Sequence, residues 1–397
     1  MSLSVAILTI DKREHDRNYA GAAPSFGTAP EALLQGFAQL PELEVHVVSC
    51  TQQPVRAPEK IASNIFFHSL LVPKTGWMRT LYQGCIRATR RKLHEIRPDI
   101  VHGQGTERDC AISAAFSGFP NVLTIHGNMR LIAKVEHARP FSFWWLAARL
   151  ETLTVPRSQG VVCITNYTRD AVADLAKKTW IVPNAVDTTL FRPGPRNQAL
   201  AEQYGIGRDE VVVGYISSFQ PYEDFATLVD AIAILRARGR RVRGLLVGDG
   251  STRPDILRQV AELDLEGVVA MPGRIPHADV PRHHRLIDVF VVPRVASRLS
   301  QLVTPLKPLE AMASGRALVV SRLDALTETI TDGQTGMTFD PGSATDLASV
   351  LERLVLDPGE RHRLGDAARS WVERERTLAR NGQRYREIYA RLGVPLG

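Results

Sequence analysis

Along this chain short apolar runs alternate with amphipathic segments, and the alternation starts twice. Residues 5–10, 45–48, 100–102, 122–126 and 161–165 read as buried strands, with residues 29–40 and 79–97 as helices between them. After the proline-bearing segment 182–195 the pattern begins again. Residues 211–216, 242–247, 268–271 and 290–292 are strand-like, and 226–236 and 255–263 are helix-like. Strands alternating with helices form parallel sheets covered by those helices. The fold class is therefore α/β, with two Rossmann-like doubly wound domains, residues 1–182 and 183–377, and a hinge near Pro183. A chain of 397 residues exceeds what one hydrophobic core usually organises, which agrees with the duplication. Open sheets of this kind bind ligands at the carboxyl ends of their strands, so chemistry is expected in a cleft where the two domains face each other. The tail 360–392, rich in Arg, Glu and Ala, reads as mostly helix.

In the second half, residues 304–315 read TPLKPLEAMASG. The strand-like run Asp288-Val289-Phe290-Val291-Val292-Pro293 leads toward them. Pro305 or Pro308 suits a first helical position, and Leu309, Met312 and Ala313 supply an apolar stripe. A helix N-terminus carries unpaired N–H groups and partial positive charge, which disfavour the neighbouring ammonium of Lys307 by roughly 0.3 kcal/mol or more. A phosphate bound at that N-terminus reconciles the two, with Glu310 accepting hydrogen bonds from sugar hydroxyls. The alternative is a solvated Lys307 and a Glu310 that merely complements the dipole.

Further stretches stand in a fixed order around this one. Ile181-Val182-Pro183-Asn184-Ala185-Val186-Asp187 and Phe191-Arg192-Pro193 lie upstream, and Leu246-Val247-Gly248-Asp249-Gly250 closes a strand-like run. Glu328 and the turn Asp332-Gly333-Gln334-Thr335-Gly336 lie downstream. As an ordered set they resemble the retaining nucleotide-sugar glycosyltransferases of glycosyltransferase family 4, whose members read P-N-G-V-D…F-x-P, then G-x-G after a strand, E-A-M-A-x-G, and a glutamate before D-G-x-x-G. The resemblance covers nearly the whole chain. It implies the GT-B fold, with the last helix, about residues 378–397, crossing back to pack on the first domain. It also implies transfer of a hexose from a nucleoside diphosphate sugar, UDP- or GDP-linked, to a glycan, a lipid-linked precursor or a small molecule. No cofactor beyond the donor is expected. The chain contains no D-x-D and no H-E-x-x-H, so no metal requirement is expected either.

One segment departs from the family. Where members read G-R-L-x-x-x-K-G, this chain reads Ser217-Ser218-Phe219-Gln220-Pro221-Tyr222-Glu223-Asp224, with serine for the arginine and glutamate for the lysine. A carboxylate about 4 Å from a phosphate charge is repelled by about 4 kcal/mol at an effective dielectric near 20, so Glu223 does not inherit the lysine's part. The family's first glutamate is replaced by Leu302. Either catalysis has been lost, leaving a silent sugar-nucleotide or glycan-binding protein, or the basic clamp has moved to Arg294, Arg298 and Lys307. Arginine's planar fork suits bidentate phosphate contacts. The pairing of S-F-x-x-Y-E with T-P-L-K-P-L-E looks like a recurring variant of the family, which favours relocation. The resemblance then assigns His126, Arg294 and Lys307 to catalysis, and Gly27, Ser218, Gly248, Arg298, Thr304, Leu306 and Glu310 to the donor. His126 closes the apolar run 122–125, and a lone histidine there is otherwise a structural hydrogen-bonder; His102 is a weaker second candidate. Gly248-Asp249-Gly250 opens like a dinucleotide fingerprint, but Arg253 takes the third glycine's position, which argues against NAD.

A formal charge of +7 favours an acidic partner: a nucleotide diphosphate, a phosphorylated lipid carrier, an anionic membrane or nucleic acid. Arg79, Arg87, Arg90, Arg91, Lys92 and Arg97 cluster on one segment, with Tyr82, Cys85, Ile86, Thr89 and Leu93 as its opposite face. Such a helix either lies on anionic lipid or is the solvated outside of a domain. The run Phe141, Phe143, Trp144, Trp145, Leu146 is either an interfacial patch or a packed helix. A glycosyltransferase acting on nucleic acid is the less favoured rival. The cysteines Cys50, Cys85, Cys110 and Cys163 are far apart, and the first residues lack a secretory pattern, which fits the cytoplasm. No run approaches the ~18 apolar residues that span a bilayer, so membrane contact is expected only as peripheral association with the inner face of the plasma membrane.

Overall fold

The computed structural model describes residues 3–297, 300 and 305–392. The chain divides into two compact units, Met1–Ala185 together with Leu378–Gly397, and Val186–Thr377. In the first unit, β1 (Leu3–Leu8), β2 (Leu43–Thr51), β3 (Lys60–Ala62), β4 (Ile65–Leu71), β5 (Ile100–Gln104), β6 (Asn121–Ile125), β7 (Val161–Cys163) and β8 (Thr179–Ile181) form one sheet. Its order is β3-β4-β2-β1-β5-β6-β7-β8. Every pairing is parallel except β3 with β4. The central strands are largely apolar and buried because both faces are covered. Val5, Val45 and Ile100 share one hydrophobic cluster, while Ala6, Val48 and Val101 share another. The helix Leu378–Arg391 belongs to this unit, and its Tyr385, Ile388 and Tyr389 join the cluster of Leu34 and Phe37. Gly36 makes that contact tight, since a Cβ there would lie 2.5 Å from the Leu378 carbonyl oxygen.

The second unit is built from β9 (Val211–Ile216), β10 (Val242–Val247), β11 (Val269–Gly273), β12 (Val289–Val292), β13 (Ala317–Ser321) and β14 (Met337–Phe339). They run parallel in the order β11-β10-β9-β12-β13-β14 over one continuous core. Strand order reverses beside the first strand of each sheet, between β1 and β5 and between β9 and β12. The carboxyl ends of strands at such reversals are where open α/β sheets bind ligands.

Some elements differ from the pattern read above. The strand β4 was not anticipated, because His68 and Ser69 interrupt its apolar run. The basic helix begins only at Gln83, since Leu81 (φ 52) and Tyr82 (φ 61) are left-handed, with short 3-10 turns Lys74–Gly76 and Met78–Thr80 before them. Helix Gln83–Ile96 buries Cys85, Ile86, Thr89 and Leu93 and leaves Arg87, Arg90 and Arg91 exposed. The aromatic run opens helix Phe143–Thr154 and keeps Phe141, Phe143 and Trp144 exposed. Among the described residues no helix is long and apolar enough to cross a membrane.

Candidate active site

In the second unit, Ser217 and Ser218 leave the end of β9 and Arg294 leaves the end of β12. The chain after Ser218 folds back so that Glu223 forms an antiparallel bridge with Arg294. Arg294 is only 1% exposed. Its Nε and Nη2 donate to Glu223 Oε2 and Oε1 at 3.4 and 3.3 Å, and Nη1 donates to the Ser300 carbonyl at 3.4 Å. Glu223 also accepts from the Tyr215 hydroxyl at 2.5 Å and from Ser217 Oγ at 3.1 Å. Burial, and then the Glu223 charge, hold the Tyr215 phenol well above its ordinary pKa. The Tyr222 ring lies 5.5 Å from the guanidinium.

One expectation is corrected here. Glu223, which was not expected to take the lysine's part, is the buried counter-ion of Arg294. Arg294 in turn is not displayed as a bidentate phosphate ligand, because its fork is taken up by Glu223 and by the Ser300 carbonyl. It ties the end of β12 to Glu223 and to the Ser300 carbonyl. A buried pair of this kind adds little net stability, but deleting one partner strands the other and costs about 3–5 kcal/mol.

Lys307 is the first residue of helix Lys307–Ala313, with Leu306 as a cap that offers no side-chain bond and Pro308 in the first turn. It is half-buried and forms no ion pair or hydrogen bond among the described residues. Glu310 lies on the same turn, and its Oε2 is 3.6 Å from Nε2 of His284. His284 is fully buried, stacked on Phe290 at 4.8 Å, with no hydrogen-bond partner on either nitrogen. The sequence reading missed His284; the signal was His283-His284 directly before the apolar run ending in β12. Leu306 packs against the core of the second unit. Ser218 is exposed. Gly248 (φ 139) is a packing necessity, since a Cβ would lie 1.7 Å from the Ser217 carbonyl oxygen, and a Cβ on Gly250 would lie 2.3 Å from that of Phe219. The G-x-G stretch thus lets the end of β10 press against the loop after β9. Arg298 and Thr304 lie outside the described residues.

In the first unit, His126 follows β6. Its Nε2 is 2.9 Å from Gln104 Oε1, which as an acceptor assigns the proton to Nε2 and leaves Nδ1 a buried lone pair with no partner. Burial lowers its pKa to about 4, so the ring is neutral near pH 7. His102 is a core residue: its ring nitrogens meet the Tyr389 hydroxyl and Thr124 Oγ1, both at 2.7 Å, and burial lowers its pKa to about 3. Gln104 Nε2 reaches His102 Nε2 at 3.0 Å, linking the two histidines. Gly27 caps helix Thr28–Phe37, and a Cβ there would meet nothing nearer than Pro30 at 3.6 Å. Packing does not demand a glycine there. One group of metal-capable side chains gathers among the described residues, Cys50, Cys85 and Asp109, buried and with ligand atoms within 4.8 Å of one another. Burial pushes the Asp109 carboxyl up to about 6.

Comparison with known proteins places this architecture. Anabaena HepE, solved in complex with UDP and glucose, matches over 98% of this chain and 100% of its own with a TM-score of 0.72, at 17% identity. A family model described as Glycosyl transferases group 1 matches residues 197–371, and one described as Glycosyltransferase Family 4 matches residues 31–190. The fold is GT-B, and the protein is a glycosyltransferase. The relatives agree: 2-deoxystreptamine glucosyltransferase of Streptomyces kanamyceticus is 23% identical over 369 residues, covering 89% of this chain and 92% of that one. Alpha-D-kanosaminyltransferase of the same organism is 29% identical over 380 residues, covering 87% and 94%. With both halves matched in order, the chain belongs to the glycosyltransferase family 4 type.

Proposed function

We propose that the protein transfers a hexose from a nucleoside diphosphate sugar, UDP- or GDP-linked, to a hydroxyl acceptor, with retention of configuration and without a metal. Lys307 carries this reading. An ammonium without a partner, beginning the helix that follows β12 and one turn from Glu310, is what a departing diphosphate requires. The bond from the anomeric carbon to the phosphate oxygen breaks as the bond to the acceptor oxygen forms on the same face. The acceptor's proton passes to the departing phosphate oxygen, so no separate base is needed. Lys307 neutralises the growing charge, and Glu310 accepts from the ribose hydroxyls. Ser218, Leu306 and the backbone at Gly27 and Gly248 line the donor, and His126 Nδ1 accepts from a sugar hydroxyl. The nucleotide complex of HepE supports a nucleotide-sugar donor.

The acceptor is a glycan, a lipid-linked precursor or a small molecule. The exposed Arg87, Arg90 and Arg91, with Phe141, Phe143 and Trp144 exposed in the same unit, support peripheral contact with an anionic membrane in the cytoplasm. Nucleic acid is not proposed as a partner. Incubation with UDP-, GDP- and ADP-sugars tests the reading through release of the nucleoside diphosphate. Lys307→Ala is expected to lower kcat/KM about 100-fold or more, while Lys177→Ala, an exposed cation elsewhere, leaves it unchanged. Nucleotide binding without turnover of any donor would instead establish a silent sugar-nucleotide-binding protein.

A further inference from the structure

The first unit contains a cavity of about 510 Å³ that none of the residues assigned to catalysis or to the donor lines. Glu14 and Arg17 follow β1, Gln52 follows β2 and Arg108 follows β5, so the cavity opens where the strand order of that sheet reverses. Its cations are Arg17, Lys74, Arg79 and Arg108, and the side chain of none of the four forms an ion pair or hydrogen bond among the described residues. The one carboxylate on its wall, Glu14, is occupied by the Gln52 backbone N–H and side-chain amide at 2.8 and 2.9 Å and by the Tyr19 hydroxyl at 2.9 Å. The wall therefore presents an excess of positive charge, four cations to one carboxylate, beside an aromatic floor of Trp77 and Tyr82.

That floor is locked. Leu81 and Tyr82 are consecutive left-handed residues without being glycine, a strain that persists only where the surroundings hold it. The turn carrying Lys74 and Arg79 is pressed onto the start of helix Gln83–Ile96, where a Cβ on Gly84 would lie 2.5 Å from Gly76 Cα. Trp77 Nε1 donates to the Val72 carbonyl at 3.0 Å, which fixes the indole. Rigid aromatic faces below a cationic rim suit a phosphate ester attached to a ring or an apolar chain.

The geometry points to this cavity as the subsite for an acceptor that carries a phosphate, which Arg17, Lys74, Arg79 and Arg108 hold while Trp77 and Tyr82 pack against the group that bears it. This rests on the glycosyltransferase reading for the word acceptor; the binding itself does not. An amine-bearing acceptor would meet four like charges here.

The test is titration of the full chain, its donor site saturated with nucleoside diphosphate, against two probes. One is glucose 6-phosphate in solution; the other is a long-chain isoprenyl phosphate in phosphatidylcholine vesicles. Glucose, the isoprenyl alcohol and glucosamine serve as comparisons. The phosphate form of at least one pair is expected to bind at least about tenfold tighter than its parent, and Lys74→Ala/Arg79→Ala to remove that advantage. Lys177→Ala/Lys178→Ala, on exposed cations elsewhere in the unit, is expected to keep it. Tight binding in the vesicle arm alone identifies a lipid phosphate, and in the soluble arm alone a free one. Equal binding of phosphate and parent in both arms, glucosamine binding above glucose, or equal losses in the two double variants would overturn the assignment. If phosphate binding holds while no donor is turned over, the transferase reading fails and the subsite stands.

Discussion

At the scale of single residues, two glycines proposed to lie along the donor separate into different kinds. Gly248 is required by contact with the Ser217 carbonyl, whereas Gly27 has room for a methyl group. Gly248→Ala should therefore cost about 3 kcal/mol or more in a urea melt, and Gly27→Ala should stay within about 0.5 kcal/mol. Any loss of donor affinity in the second variant then reports on the donor and not on folding. The Arg294–Glu223 pair makes a second residue-scale prediction. Glu223→Gln leaves a guanidinium that is 1% exposed without its counter-charge, and the melt should shift by about 3 kcal/mol. A shift under about 0.5 kcal/mol would show that the pair is not formed in solution. Sequence alone kept Glu223 away from the phosphate and offered Arg294 to it, and did not pair the two. They lie 71 positions apart and meet only because β9 and β12 are neighbours in the sheet, a fact that local patterning does not carry.

At the scale of elements, β5, β6 and the helix Leu378–Arg391 are joined through His102, Thr124, Tyr385 and Tyr389. His102 on β5 and His126 just after β6 both have lowered pKa values, about 3 and about 4. The unfolded chain takes up protons near pH 6.5 while the folded chain does not, so stability should fall as pH drops from about 6.5 toward 4. Asp109, and with it Glu107 and Glu151, works against this trend, because burial raises their folded pKa values and lets the folded state bind those protons first. His102 is expected to dominate, being fully buried. Tyr389→Phe removes a hydroxyl 2.7 Å from His102 and should cost about 1 kcal/mol at pH 7. A wild-type melt flat from pH 7 to pH 4 would contradict the burial of these rings. Strands with unbroken apolar runs, such as 161–164 and 290–292, were announced by the sequence. β4 hides because polar residues interrupt it, and the true start of the basic helix hides because Leu81 and Tyr82 adopt a backbone their side chains do not advertise.

At the scale of the whole molecule, duplication of the α/β pattern and the order of the motifs were enough to reach the family, since both are properties of the chain as a string. The site was only partly legible. Lys307 and Glu310 stand, as expected, on a helix whose start the prolines mark. His284 beneath Glu310, and the cationic cavity of the first unit, were not, because each is assembled from residues on separate elements. The central claim is that Lys307 holds the diphosphate of the donor. Its most direct measurement is the affinity of the full chain for a nucleoside diphosphate and for the corresponding nucleoside, in wild type and in Lys307→Ala. The account predicts that the diphosphate binds far more tightly to the wild type, and that the variant loses about tenfold or more of that advantage while its nucleoside affinity is unchanged. An undiminished diphosphate advantage in Lys307→Ala would contradict it.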